Sequence, residues 1–148
     1  MNLGTVLLTN QSGVGRGLFD EDNVHLIHTR LRELLLREGV QLDGIYYCPH
    51  RPEDECSCRK PRPGLINQAA EEFGFDLGCC FVIGDKACDI ELGRGVGATT
   101  ILVLTGYGAQ FAADSTLEPD YVVEDLGAAA RIVEQALDDP APRERKRG

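Results

Sequence analysis

The stretch Cys48-Pro-His50-Arg-Pro-Glu-Asp-Glu-Cys56-Ser-Cys58-Arg59-Lys60 holds three cysteines and one histidine within eleven residues and ends on two cations. Three thiolates and one imidazole form a common ligand set for a closed, tetrahedral structural zinc site. The alternative is a set of ordinary or disulfide-bonded cysteines, but no signal peptide indicates an oxidising compartment, and the spacing is dense. We therefore predict a zinc-bound loop over residues 48–58 that fixes the positions of the two cations that follow it, Arg59 and Lys60.

The composition is that of one soluble domain. The chain has 148 residues and a formal net charge of -9. A nucleic-acid partner would require a basic face, so this charge argues against one. There is no apolar run as long as a membrane span and no targeting signal, so we expect a cytoplasmic monomer that does not bind a membrane. Three further cysteines, Cys79, Cys80 and Cys88, are expected to be reduced and mostly buried.

Short apolar runs alternate with segments of helical periodicity along the chain. The predicted strands cover residues 3–9, 44–47, 79–83, 99–104 and 121–123. The predicted helices cover residues 20–38, 63–73, 87–93 and 126–137. This alternation is typical of an α/β fold with a parallel sheet. The domain is expected to span residues 1–137, and residues 138–148 are expected to form a disordered tail.

The first predicted helix contains a motif that imitates a catalytic pair. Asp20-Glu21-Asp22 has two carboxylates at the spacing of an Asp-x-Asp motif, but acids are expected in a first helical turn from capping and the helix dipole. We interpret them as a helix start. The packed face of this helix is expected to be apolar, with residues recurring at helical spacing: Val24, Ile27 or His28, Leu31, Leu34 and Leu35.

A glycine-rich loop, residues 10–17, follows the first strand. It fits neither the dinucleotide fingerprint nor the P-loop, because its glycine spacing is wrong and no Lys-Ser/Thr pair follows. Polar side chains nevertheless end three of the predicted segments: Thr9 with Asn10, Gln11 and Ser12; Arg59 with Lys60; and Asp85 with Lys86. Ligands of open parallel sheets collect at the carboxyl ends of the strands. Hydroxyls, cations and a carboxylate there indicate a phosphate-binding site.

Four ordered motifs carry a family resemblance over nearly all of residues 3–137. They are Thr9-Asn-Gln-Ser12-Gly-Val-Gly-Arg16-Gly, Gly44-Ile-Tyr-Tyr-Cys48-Pro-His50, Cys58-Arg59-Lys60-Pro61-x-Pro63-Gly64 and Gly84-Asp85-Lys86-x-x-Asp89-Ile. The chain resembles the zinc-containing branch of the haloacid dehalogenase (HAD) superfamily of phosphatases. The resemblance implies a Rossmann-like parallel sheet with helices on both faces, and a magnesium-dependent phosphatase activity on a small phosphorylated metabolite.

The resemblance also implies roles for single residues. Thr9 is implied to bind the phosphoryl oxygen and Lys60 to stabilise the phosphoryl charge. The remaining implied substrate contacts are Asn10, Gln11, Ser12, Arg59 and Lys86. Asp85 is an implied magnesium ligand, and Asp89 a second acid that supports this metal through water. The implied zinc ligands are Cys48, His50, Cys56 and Cys58, and in this branch the zinc orders the substrate loop without taking part in the chemistry.

One motif of the family is absent from the chain. The family has an Asp-x-Asp at the end of a central strand, where the first Asp is the nucleophile and the second the general acid and base. This chain opens directly in the following strand, so we expect two strand edges that lack a partner. Either the sequence starts late in an ordinary phosphatase, or the short form is real and does not turn over. We favour the first, because the other charged site residues are retained.

Three hypotheses follow for the function. The first is removal of the 7-phosphate from a heptose bisphosphate, which Lys86 after Asp85 favours. The second is hydrolysis of histidinol phosphate, with which the short gap between His50 and Cys56 is compatible. The third, of another class, is a zinc-stabilised module that binds phosphorylated ligands without turnover, because the nucleophile is absent.

Overall fold

The computed structural model describes residues 3–138, which fall into two compact units. One unit covers residues 3–77 and the other residues 78–138 of the described part. Each unit is described by itself. All of the predicted tail beyond Asp138 lies outside the described residues.

The first unit is built on a pair of parallel strands. Strand β1 (Val6–Asn10) pairs with β2 (Gly44–Cys48) in a register that sets Val6 opposite Gly44 and Asn10 opposite Cys48. The helices of this unit are α1 (Ser12–Gly15), α2 (Glu21–Arg37) and α3 (Gly64–Phe73), with a 3-10 turn at Pro52–Asp54. The parallel pairing brings the segments that follow β1 and β2 to the same end of the sheet.

Helices lie on both faces of this strand pair. Tyr46 and Cys48 pack with Leu65 and Ala69 of α3 in one buried cluster. Successive side chains of a strand point to opposite faces, so Tyr47 points the other way. There its ring meets the imidazole of His28 of α2 edge-on, with 5.6 Å between the ring centroids.

The second unit has three parallel strands in the order β3-β4-β5. They are β3 (Phe81–Gly84), β4 (Thr99–Val103) and β5 (Tyr121–Val123), and the helices are α4 (Ala87–Gly95), α5 (Gly108–Phe111) and α6 (Leu126–Asp138). Ile101 and Val103 of β4 pack with Ala129 and Val133 of α6. The other face of β4 touches α4, where a Cβ on Gly93 would lie 2.5 Å from Thr100 Cγ2.

The predicted parallel α/β class is confirmed, and so are most elements to within a few residues. Two burial predictions are wrong, one for Leu34 and one for the three further cysteines. In α2, Leu34 is 44% exposed; of the two alternatives at the second position of the inward stripe, His28 is the half-buried one and Ile27 is 60% exposed. The third strand begins at Phe81 because the chain forms a 3-10 turn at Leu77–Cys79, and this turn leaves Cys79 exposed; Cys80 and Cys88 are half-buried.

Within residues 3–138, four of the five strands have a partner on one edge only. β1 and β2 pair with each other alone, and β3 and β5 each pair with β4 alone. Every residue of β1 is half-buried, whereas β4 has four buried residues among its five. A strand paired on one side leaves its other edge exposed, which explains why β1 is less buried than β4. No helix in the described part of the chain is long and apolar enough to cross a membrane.

Candidate active site and metal centre

The four predicted zinc ligands converge on one point. The ligand atoms of Cys48, His50, Cys56 and Cys58 all lie within 4.8 Å of one another. Cys56 Sγ lies 3.5 Å from Cys48 Sγ and 3.5 Å from Cys58 Sγ. His50 Nδ1 lies 3.6 Å from Cys48 Sγ and 3.2 Å from Cys58 Sγ.

These distances fit a tetrahedral metal ion. With bonds of about 2.3 Å to sulfur and about 2.0 Å to nitrogen, two tetrahedral sulfur ligands lie about 3.8 Å apart and a sulfur and a nitrogen about 3.5 Å apart. The four spacings depart from these values by at most about 0.3 Å. Because three thiols and one imidazole are also the soft to borderline donors that zinc prefers, the set can hold a metal ion.

The thiols of the cluster shift one another's acidity. Burial disfavours the Cys56 thiolate, but hydrogen bonds from the thiols of Cys58 and Cys48 and from the backbone of Arg59 and Cys58 together outweigh burial and lower the pKa of Cys56 to about 7. Burial and the neighbouring thiols raise the pKa of Cys58 to about 12, and burial raises the pKa of Cys48. Without a cation, the cluster therefore favours one thiolate over three.

Arginines hold the backbone of the metal loop. Arg62 Nη1 donates to the carbonyl oxygen of Cys56 over 2.8 Å, and Arg59 Nη1 approaches the carbonyl oxygen of His50 at 3.4 Å. Arg51 forms an ion pair with Asp54 at 3.0 Å, within the 3-10 turn that joins the second ligand to the third. The guanidinium of Arg59 thus contacts the loop itself, a position that the sequence did not predict.

The glycine-rich segment after β1 is fixed to the metal loop through the backbone. Gln11 N donates to Cys48 O over 2.7 Å, and Gly15 N donates to Pro49 O over 2.9 Å. A Cβ on Gly15 would lie 2.8 Å from Pro49 O, so glycine is required for this close approach. The segment that carries Gln11 and Ser12 therefore takes its position from the loop that carries the metal ligands.

Lys60 is fixed by Asn10 at the end of β1. Asn10 Nδ2 donates to Lys60 O over 3.1 Å, and Lys60 N donates to Asn10 Oδ1 over 3.0 Å. The ammonium of Lys60 donates to Leu8 O over 2.7 Å. Both polar ends of the Asn10 amide are used in this clasp, so Asn10 positions Lys60; its direct contact with a substrate stays a prediction.

Thr9 lies next to this clasp with its hydroxyl as an acceptor. Gln11 Nε2 donates to Thr9 Oγ1 over 3.0 Å. Because a hydroxyl both accepts and donates, accepting from Gln11 leaves the Thr9 hydroxyl able to donate its own proton to another group. The structure thus brings four predicted residues, Thr9, Asn10, Gln11 and Lys60, together in the first unit.

In the second unit, Asp85 and Lys86 follow β3. Asp85 Oδ2 accepts a hydrogen bond from Tyr107 N at 3.0 Å, and Lys86 Nζ lies 4.5 Å from the centroid of the Tyr107 ring. Asp89 is 6% exposed, and its Oδ2 accepts from Lys86 N at 3.1 Å, which caps the start of α4. A Cβ on Gly84 would lie 2.4 Å from the Asp89 carboxylate, so this glycine makes room for the cap.

The Asp20-Glu21-Asp22 stretch behaves as a helix start, as predicted. Asp20 is the N-cap of α2, and its Oδ1 accepts from Asn23 N at 2.9 Å. Glu21 Oε2 accepts from Tyr47 Oη at 2.5 Å. These carboxylates are engaged in fixing α2.

Sequence reasoning missed Arg62, Gly106 and Tyr107. Arg62 lies two residues after Lys60, but nothing in its spacing indicates a contact with Cys56. Gly106 has a positive φ of 63°, and its place two residues after a predicted strand was the available signal for a special turn.

Comparison with known proteins identifies the family. The HAD-hydrolase-like family matches residues 57–129. The D-glycero-β-D-manno-heptose-1,7-bisphosphate 7-phosphatase of Pseudomonas aeruginosa is 40% identical over 127 residues, which cover 86% of this chain and 71% of that protein.

Two solved structures agree with this match. The D,D-heptose 1,7-bisphosphate phosphatase of B. bronchiseptica, crystallised with magnesium and phosphate, has a TM-score of 0.84 and 38% identity, covering 89% of this chain and 74% of that one. The corresponding phosphatase of Burkholderia thailandensis has a TM-score of 0.69 and 29% identity, covering 90% of this chain and 76% of that one. The chain therefore belongs to the HAD-like hydrolases, in the family of the heptose-bisphosphate phosphatases.

Proposed function

We propose that this chain supplies the phosphoryl-binding residues of a magnesium-dependent phosphatase that removes the 7-phosphate of a D-glycero-D-manno-heptose 1,7-bisphosphate. The observation that carries the proposal is the likeness to a heptose-bisphosphate phosphatase crystallised with magnesium and phosphate. The cytoplasmic location and the monomeric state stay predictions from the sequence. A reducing compartment suits a cluster whose three thiols must remain available to a metal.

Thr9 and Lys60 are the proposed phosphoryl ligands of the first unit. The Thr9 hydroxyl accepts from Gln11 and can still donate its own proton, and a phosphoryl oxygen is a suitable acceptor for it. The Lys60 ammonium supplies charge-assisted hydrogen bonds to the same group. Asn10 holds the backbone of Lys60 at two points, so the cation does not have to be ordered when the substrate arrives.

Asp85 is the proposed magnesium ligand, with Lys86 as a substrate contact. A carboxylate oxygen is the hard donor that Mg²⁺ prefers, and the ion, when bound, would neutralise charge on the phosphoryl oxygens. Tyr107 N restricts one oxygen of the Asp85 carboxylate. Asp89 caps α4 from a buried position, and its support of the metal through water is proposed from the family resemblance alone.

Zinc is the metal that we propose for the cluster of Cys48, His50, Cys56 and Cys58. The spacings of the ligand atoms fit a tetrahedron of zinc bonds. The proposed role is structural, because backbone hydrogen bonds link the loop to Gln11 and Gly15. Loss of the ion would then disorder the substrate segment as well as the loop.

A second candidate function is a binding module without turnover. The one Asp-x-Asp of the 148 residues is Asp20-Glu21-Asp22, and Asp20 caps a helix. If no other segment supplies a nucleophilic carboxylate, these residues would bind a phosphate ester and leave it intact.

Phosphate release distinguishes the two candidates. The assay uses the 148-residue chain and a chain extended before Met1 by an apolar strand that ends in Asp-x-Asp. Each is incubated with Mg²⁺ and with a heptose bisphosphate, histidinol phosphate or other sugar and amino-alcohol phosphates. Release by the extended chain, fastest with the heptose, supports the phosphatase. Saturable binding without release by either chain supports the module, and neither binding nor release would refute both.

A further inference from the structure

The turn after β4 closes over the residues that follow β3. The two strands are parallel neighbours, with Gly84 opposite Leu102, so the segments after them leave at the same end of the sheet. Within this turn, Tyr107 makes two different contacts: its backbone N–H with Asp85 Oδ2 at 3.0 Å and its ring with Lys86 Nζ at 4.5 Å. Tyr107, to which the sequence assigned no role, thus contacts both Asp85 and Lys86, the two proposed site residues of this unit.

The backbone contact depends on the residue before it. Gly106 has φ 63°, a conformation that side chains disfavour, and a Cβ there would lie 2.3 Å from Asp85 Oδ2. This close approach brings the Tyr107 N–H to the carboxylate. The Asp85 contact is therefore set by Gly106 and by the backbone, whatever side chain position 107 carries.

The ring of Tyr107 is consequently available for Lys86. The Tyr107 residue is 52% exposed, so its ring is not a core packing element. A lysine adjacent to an aspartate could instead fold back onto that carboxylate, yet none of the ion pairs found within residues 3–138 joins Lys86 to an acid. An ammonium over an aromatic face keeps its charge and its remaining donors, because the ring accepts no conventional hydrogen bond.

We propose that Tyr107 is a positioning residue that holds the Lys86 ammonium on its ring, away from Asp85, so that the cation meets the phosphate of the substrate already oriented. This inference rests on the proposed function, since it gives the placement of one proposed substrate contact. A long lysine side chain loses rotamer freedom when it binds a ligand, and a ring that restricts it beforehand reduces that loss. The ring therefore serves phosphate binding, whereas the backbone of Tyr107 serves the magnesium ligand.

This division of roles is testable on the full 148-residue chain with inorganic phosphate and Mg²⁺ as separate probes. Tyr107→Leu removes the ring, and Tyr107→Phe keeps it. NMR of the Lys86 Hε protons reports the ring contact through an upfield ring-current shift. We expect the shift in wild type and in Tyr107→Phe, with or without phosphate, and its loss in Tyr107→Leu.

The binding constants give the second readout. We expect the Kd for inorganic phosphate to rise about three- to ten-fold in Tyr107→Leu and to change less than about two-fold in Tyr107→Phe, while the Kd for Mg²⁺ stays constant in both. If the Tyr107 ring only stabilised the fold, its removal would raise the Kd for phosphate and the Kd for Mg²⁺ together. If wild type and Tyr107→Leu bind phosphate equally, or if the Lys86 shift is the same in both, the inference is overturned while the proposed function stands. If the wild-type chain binds no inorganic phosphate in the presence of Mg²⁺, the proposed function is contradicted as well, and this outcome differs from the two that overturn the inference alone.

Discussion

Replacing Asn10 by alanine removes the side chain that joins the end of β1 to Lys60. Two hydrogen bonds are lost, from Asn10 Nδ2 to Lys60 O at 3.1 Å and from Lys60 N to Asn10 Oδ1 at 3.0 Å. Each such bond has a net value of about 0.5–1.5 kcal/mol, so we expect the free energy of unfolding to fall by about 1–3 kcal/mol. The affinity for phosphate should fall as well, because the Lys60 ammonium loses its fixed backbone.

Urea unfolding followed by circular dichroism measures the first effect, and calorimetric titration with inorganic phosphate measures the second. Asn67→Ala is a matched control: Asn67 is exposed on α3, and alanine is the better helix former, so stability should stay constant or rise slightly. Asn10→Asp is a second test. This substitution keeps the oxygen that accepts from Lys60 N, but it replaces the amide nitrogen that donates to Lys60 O by a second oxygen, which repels that carbonyl. An Asn10→Ala chain as stable as Asn67→Ala, with unchanged phosphate affinity, would refute the clasp.

The remaining predictions concern the metal loop, α4 and α2. Chelation of the metal, or Cys58→Ser, will lower both the metal content and the Tm, because structural zinc contributes about 10–16 kcal/mol to folding in zinc-finger peptides. A Tm that is the same with and without a chelator would contradict this prediction. Gly84→Ala will lower the free energy of unfolding by about 1–3 kcal/mol, because its Cβ would lie 2.4 Å from the buried Asp89 carboxylate. Gly95→Ala is the control and should be nearly neutral, because a Cβ there has open space around it. Equal urea midpoints for the two variants would refute the clash. Burial, together with the positive charge of nearby His25 and Arg32, lowers the pKa of His28 in the folded chain. The unfolded chain therefore protonates His28 more readily, and the free energy of unfolding will fall as the pH drops below about 6.5. His28→Gln should flatten this dependence between about pH 7 and pH 5, and an unchanged slope would show that His28 is not its source.

The metal cluster could be predicted from sequence because its information is local. Four ligands within residues 48–58 can reach one ion whatever the rest of the chain does, and the structure brings their atoms within 4.8 Å. The strands were also predictable, because each is a short apolar run ended by polar residues or glycine. The predicted helix over residues 20–38 agrees with α2: Asp20 caps its start, and Gly39 takes a positive φ just after its end.

Properties that depend on tertiary contacts could not be predicted. Helix α2 has leucine or isoleucine on more than one face, so periodicity alone could not choose between Ile27 and His28 for the inward stripe. The half-buried state of β1 depends on which strands pair with it. The clasp between Asn10 and Lys60 joins residues fifty positions apart, and the contact of Tyr107 with Lys86 joins two segments that only the β3–β4 pairing brings together.

Phosphorus NMR of D-glycero-β-D-manno-heptose 1,7-bisphosphate tests the central claim most directly. With Mg²⁺ and the chain extended by an Asp-x-Asp strand, we predict that the signal of the 7-phosphate disappears, that inorganic phosphate appears in equal amount and that the 1-phosphate remains. The matching chain with Lys60→Ala should leave both signals nearly unchanged. Persistence of both signals with the unmutated extended chain, or faster hydrolysis of histidinol phosphate, would contradict the account.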